Sequence, residues 1–282
     1  MVRIFSASTC DLSQELIKKY GISIVPLHIV LGDKEYKDGM EIGPDEIYAW
    51  SDANNTTPKT SAAGIVEVID AMKLVLDQGD EIVIFSISGQ MSTTVNVMRM
   101  AAEELDAEDK VSVIDSGNLS TGIGLLVLEA ADMAAAGKTR EEIVAHIEAI
   151  KPMVRSSFVV DTLTYLHRGG RCSSVAALAG GVLKLHPKIV VEDGAMSATK
   201  KYRGKMDAVI HHYVKDMEED LLKAKKERVF ITHSGCDQKE IDAVKEYLEG
   251  LGHFDEILVT RAGGVISSHC GPGTLGVLYV ME

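Results

Sequence analysis

GIVEVIDAMKLVLDQG, residues 64–79, and EIVIFSIS, residues 81–88, decide the fold class between them. In the first, apolar side chains recur every three or four positions, the period of a helix with one buried face. The second is a short apolar run rich in β-branched residues, as in a strand covered on both sides. Working outward, VRIFSAS and ISIVPLHIVL are strand-like, residues 91–104 are helical and KVSVIDS is a strand. A long Ala- and Leu-rich helix follows over 119–136, and EEIVAHIEAIKPM makes another. Strands alternating with helices predict a parallel sheet with helices on both faces, a three-layer α/β/α arrangement.

The second half has a different grammar. SSFVV is a strand, and KIVVEDGAMSATKKY predicts a hairpin turning at Asp193-Gly194. A helix is expected over 205–225. RVFITHSG is a strand, DQKEIDAVKEYLEGLG a helix, and EILVTRAGG and GTLGVLYVM are strands. This predicts an α/β domain with a mixed sheet. The change near Pro152 divides the chain into 1–154 and 155–282.

Composition narrows the function. The net charge of -13 repels phosphate backbones, which argues against nucleic acid as a partner. Absence of a basic start followed by an apolar run, and of any stretch long enough to span a bilayer, leads us to expect a cytoplasmic protein without an integral membrane segment. Cys10, Cys172, Cys236 and Cys270 are scattered without a CxxC pair and read as free thiols; no metal site and no cofactor are expected. Neither GxGxxG nor GxxxxGK[ST] occurs, so dinucleotide and P-loop chemistry lack a motif. The 12 Met against only 5 % aromatic residues fit either a pliable core or a flexible apolar cavity.

Polar residues gather at strand ends. SASTCDL, TPKTSAAG and SISGQMSTT each lie beside a strand and lead toward a helix. Taken singly, these are helix caps: Thr60 or Ser61 for the helix starting near Ala62, and Thr9 or Asp11 for the one after the first strand. Together they suit a small anion, because strand carboxyl ends form the crevice of an open α/β sheet and helix N-termini there favour negative charge. In HRGGRCSS, residues 167–174, Arg168 and Arg171 flank two glycines, either a basic knuckle for a phosphate or partner or a solvated loop. Ser88, His269 and Cys270 are candidate nucleophiles and bases, but SISGQ lacks the first glycine of a GxSxG elbow.

In order along nearly the whole chain, these segments resemble the DegV family of bacterial fatty acid-binding proteins. SASTCDL resembles the family's TDSTxDL, with Ala7 in place of Asp. VPLHI and Tyr36 to Asp38 follow. TSAAG stands where the family has TSQPS, and SISGQMSTT at its SGTYQSA position. VIDSGNLSTG, TLTYLHRGGRCS, VLKLHPKIVVEDG and HCGPG complete the series. The resemblance implies a carrier without catalytic residues, holding a long-chain fatty acid between its two domains and presenting the carboxylate to a fatty acid kinase. Thr60, Ser61, Ser88, Gly89 and His269 would bind the carboxylate, with Gly271-Pro272-Gly273 aiming His269 into the crevice. Arg168 and Arg171 would lie where the kinase docks, and Cys270 would be a small buried hydrophobe. The acyl tail is expected along the helices at 62–77 and 119–136. Ala62-Ala63-Gly64 and Gln90 depart from the family pattern. The rival is a substrate-binding or phosphotransfer enzyme of the dihydroxyacetone kinase-like class; a serine hydrolase is a third reading.

Overall fold

A computed structural model describes residues 1–176 and 185–282. Residues 182–184, the start of the VLKLHPKIVVEDG segment, therefore lie outside the described residues.

The first half runs β1 (Val2–Ala7), α1 (Gln14–Tyr20), β2 (Ser23–Val25), β3 (His28–Leu31), β4 (Lys34–Lys37), α2 (Pro44–Asn54), β5 (Lys59–Ser61), α3 (Ile65–Leu76), β6 (Glu81–Ser86), α4 (Thr94–Glu104), β7 (Val111–Asp115), α5 (Thr121–Ala135) and α6 (Arg140–Ile150). β2-β1-β6-β7 form a parallel sheet. Phe5, Ile82 and Ile84 point into one core with α3 and α4, and Ile4, Val83 and Phe85 into another with α5. This is the three-layer arrangement that the alternation predicted.

The run 22–31, read as one strand, is two. Pro26 supplies no N–H to a ladder, and β3 leaves the parallel sheet to pair antiparallel with β4 and β5. The resulting three-stranded sheet, and α2 beside it, were not anticipated. Caps also differ from expectation. Helix α3 begins at Ile65, and the N–H of Gly64 donates to the Glu67 carboxylate at 3.3 Å; Thr60 and Ser61 lie in β5. Ser13, rather than Thr9 or Asp11, caps α1.

The second half runs β8 (Val154–Val159), α7 (Thr164–Gly169), α8 (Ser173–Ala176), β9 (Leu185–Glu192), β10 (Ala195–Arg203), α9 (Met206–Lys215), α10 (Glu218–Leu221), β11 (Arg228–His233), α11 (Gln238–Gly250), β12 (Glu256–Arg261), α12 (Gly264–Cys270) and β13 (Leu275–Val280). The mixed sheet has the order β10-β9-β8-β13-β11-β12, with only β11 and β12 parallel. Glu192 pairs with Ala195 across Asp193-Gly194, both at positive φ, the two-residue turn that the sequence announces. The helix expected over 205–225 is divided into α9 and α10.

Helix α5 joins the halves. Its first eleven positions hold ten buried residues on every side, and it packs on β1 and also on β8, β11 and β13. Thr121 at its start lies 2.6 Å from Thr232 of β11, hydroxyl to hydroxyl. We propose that the chain divides at 154/155, one residue into β8, with α5 as the shared wall.

Candidate functional site

A cavity of about 430 Å³ opens between the two halves, within the size range of small-molecule sites. Leu27, Ile87, Met91, Leu119, Met196 and Ile266 supply apolar surface. Polar groups come from the end of β5 (Thr60, Ser61), from the loop between β6 and α4 (Gly89, Gln90, Ser92, Thr93) and from α12 (His269). Arg171, after α7, is the cation of the lining among the described residues.

Thr60 and His269, 209 residues apart, meet here: Thr60 Oγ1 lies 2.8 Å from His269 Nε2. The other ring nitrogen, Nδ1, is buried without a partner among the described residues. It faces Gly169, where an added Cβ would lie 2.4 Å away, so only glycine lets the imidazole sit at this depth. Burial, reinforced by the Arg171 charge, pushes His269 down to about 4. The ring is thus neutral at physiological pH, and the charge-assisted hydrogen bond of a protonated histidine is not available in the unliganded site. Between pH 6.5, the ordinary histidine value, and about 4, the unfolded chain binds a proton that the fold refuses. His269 therefore makes the protein less stable as pH falls through that window. In an NMR titration the His269 ring should stay neutral at about pH 5; a midpoint near the ordinary 6.5 would contradict this placement.

Ser61 Oγ donates to Glu35 Oε1 at 3.0 Å, and Glu35 also lies 3.0 Å from His28 Nδ1. Cys270 lines the cavity and is buried, as expected of a small apolar side chain; burial pushes its thiol up to about 12, which removes it as a nucleophile.

The DegV family model, described as one of uncharacterised proteins, matches residues 1–282. The chain belongs to the DegV family. A DegV domain-containing protein of Caldanaerobacter subterraneus subsp. tengcongensis is 33 % identical over 281 residues, covering 99 % of this chain and 98 % of that protein. One from Deinococcus radiodurans is 31 % identical, covering 98 % and 97 %. Among solved structures, a fatty acid-binding DegV family protein from Thermus thermophilus superposes with a TM-score of 0.91 at 30 % identity, covering 100 % of this chain and 99 % of the other. A stearic acid-binding protein from Eubacterium ventriosum gives 0.86 at 28 %, covering 100 % and 98 %.

The DegV motifs do not all face the cavity. Ser88 is buried outside its lining, and its hydroxyl donates to the Gly194 carbonyl at 2.6 Å. Gln90 Nε2 donates to the neighbouring Asp193 carbonyl. The hairpin turn between β9 and β10 is thus clamped onto the loop after β6, a role that sequence reasoning missed. Gly89 lines the cavity, but its N–H is held by both oxygens of Asp115 at 3.2 Å. Arg168 is exposed on α7, while Arg171 is both exposed and part of the lining, so the two arginines are not equivalent. His269 is presented by the last turn of α12, a helix absent from the sequence reading. Gly271 ends that helix at φ 75°, against the Tyr165 ring. Of the spans 62–77 and 119–136, expected along the tail, Ala62 and Leu119 line the cavity, just before α3 and α5 begin. Ser88 and His269 are engaged elsewhere and do not pair as nucleophile and base.

Proposed function

We propose that this protein is a cytoplasmic carrier that holds one long-chain fatty acid in the cavity and presents its carboxylate to a fatty acid kinase, with no chemistry or cofactor of its own. The observation that carries the reading is the pairing of Thr60 with a neutral His269 at the wall of a cavity otherwise lined largely by aliphatic and Met side chains. Fatty acid binding by the Thermus thermophilus and Eubacterium ventriosum relatives supports it. With the ring proton on Nε2, His269 donates to Thr60 Oγ1 and leaves the Thr60 proton for a carboxylate oxygen. Arg171 adds a charge, while Ser61, whose proton goes to Glu35, and Ser88 and Gly89 shape the surrounding loops. Each buried methylene contributes roughly 0.8 kcal/mol, so a dozen of them outweigh the cost of taking one carboxylate out of water into a hydrogen-bonded site. The negative ligand would draw the His269 titration upward, because an opposite charge favours the protonated ring.

Organic-solvent extraction of the purified protein, followed by mass spectrometry, tests the reading. One fatty acid per chain is expected. A lipid-free protein that instead traps dihydroxyacetone on a histidine would support the kinase-like rival.

Arg168, exposed and outside the lining, fits the docking face. Arg168→Ala should leave the lipid content unchanged and slow phosphoryl transfer, since rim charges act mainly on encounter. Arg171→Ala should lower both. Equal transfer rates per bound lipid for Arg168→Ala and wild type would remove Arg168 from the docking surface.

A further inference from the structure

Helix α12 supplies Val265, Ile266, His269 and Cys270 to the cavity, yet it has seven residues, too few for independent stability. Its two ends are held by opposite halves of the molecule. At the C-terminal end, Thr274 Oγ1 donates to the Cys270 carbonyl at 3.0 Å and Ser234 Oγ donates to that of Gly271, both within the second half. At the N-terminal end, the N–H of Gly263 donates to Asp11 Oδ1 at 2.8 Å, and that of Gly264 to Asp38 Oδ1 at 2.7 Å. These two carboxyl groups come from the first half, 252 and 226 residues away in the chain.

Their remaining oxygens are also fixed. Asp11 Oδ2 accepts from Ser120 Oγ at 2.5 Å, and Ser120 sits at φ 53° immediately after the cavity residue Leu119. Asp38 Oδ2 accepts from Ser8 Oγ at 2.8 Å, and Ser8 Oγ in turn accepts from the N–H of Leu27, another cavity residue. Neither acid lines the cavity. Both are buried, which raises their carboxyl groups, Asp11 to about 8. Buried acids are costly unless hydrogen-bonded, so an unused pair at one helix end calls for a role.

We infer that Asp11 and Asp38 are positioning residues for the ligand site: by gripping the first turn of α12 from the opposite half, they set where His269 stands against Thr60. The close approach requires glycine at 264, where a Cβ would lie 2.5 Å from Ile29 and 2.7 Å from Ile47. His269 follows five residues later on the same short helix, so a shift at the gripped end moves the imidazole with it. The inference rests on the fatty acid reading for its consequence in binding, and its geometric part stands separately.

The test uses the full chain with Asp38→Ala, Asp38→Asn and a control, Asp80→Ala. Asp80 is likewise buried but ties Met1 and Arg3 at the N-terminal ends of β1 and β6. The first readout is the imidazole ¹⁵N signal of His269 in lipid-free protein, which reports the bond to Thr60. The second is the Kd for palmitate. Asp38→Ala should shift the His269 signal and weaken palmitate binding about ten-fold or more, the effect of losing the Thr60 hydrogen bond to the carboxylate once His269 no longer orients it. Asp38→Asn keeps an acceptor for Gly264 and should restore both. Asp80→Ala should leave the signal unmoved. An unshifted His269 signal in folded Asp38→Ala, or an equal shift in Asp80→Ala, overturns the inference. If Asp38→Ala fails to fold, Ser8→Ala, which unties Asp38 Oδ2 together with the Leu27 N–H and leaves the Gly264 contact, carries the same test, and an unmoved His269 signal again overturns it. Failure of wild type to bind palmitate would remove the fatty acid reading while the ¹⁵N readout still decides the positioning role.

Discussion

Thr60→Val and His269→Ala should each weaken fatty acid binding by about 1.5–3 kcal/mol, or roughly 10- to 150-fold in Kd, with the fold intact. Thr60→Val keeps the shape of the β5 side chain and removes its hydroxyl alone. His269→Ala removes the group that orients that hydroxyl, since the two atoms lie 2.8 Å apart. The double variant should be little worse than the poorer single one, because residues in one hydrogen-bonded pair are not additive. Additive losses measured by titration calorimetry would mean that the two side chains contact the ligand independently. Unchanged affinity in both variants would remove the pair from the headgroup site.

Met196→Trp should shift the bound lipid toward shorter chains while occupancy stays high. Met196 is buried on β10 and lines the cavity away from β5 and α12 in the sequence. A larger ring there takes up space meant for the tail and leaves Thr60 and His269 in place. Ala130→Phe provides the contrast. Ala130 is fully buried on α5 within the core shared by the two halves and does not line the cavity. Overpacking at such a site costs about 1–3 kcal/mol. Ala130→Phe should therefore lower the melting temperature with the lipid mixture unchanged. Chain-length profiles extracted from the two variants separate the cases; a shift in Ala130→Phe and none in Met196→Trp would put the tail against α5 instead.

These assignments mix what could be read from the chain with what could not. The parallel sheet was legible because α3 repeats its apolar residues at the helical period while β6 is a short continuous apolar run, and the Asp193-Gly194 turn because both positions need positive φ. Helix α12 was not. GVISSHC is short, starts with glycine and has no apolar stripe, because nearly its whole circumference is buried. The grip on its first turn joins residues more than 200 positions apart, and no local pattern records such a contact. Ser88 shows another limit: its hydroxyl was legible as polar and near a strand end, but its partner, the Gly194 carbonyl, is fixed only by how the hairpin packs. Thr60 and His269 were named through family resemblance, and the structure adds that they touch. Asp11 was read as a cap for the wrong helix, and Asp38 as a motif position without a role.

The most direct test of the central claim is the ¹³C spectrum of carboxyl-labelled palmitate added to lipid-free protein, with Thr60→Val alongside. The account predicts one bound carboxyl signal per chain, distinct from free palmitate, that moves or broadens in Thr60→Val and saturates at one equivalent. A carboxyl signal identical in wild type and Thr60→Val, or palmitate that stays free in both, would contradict it.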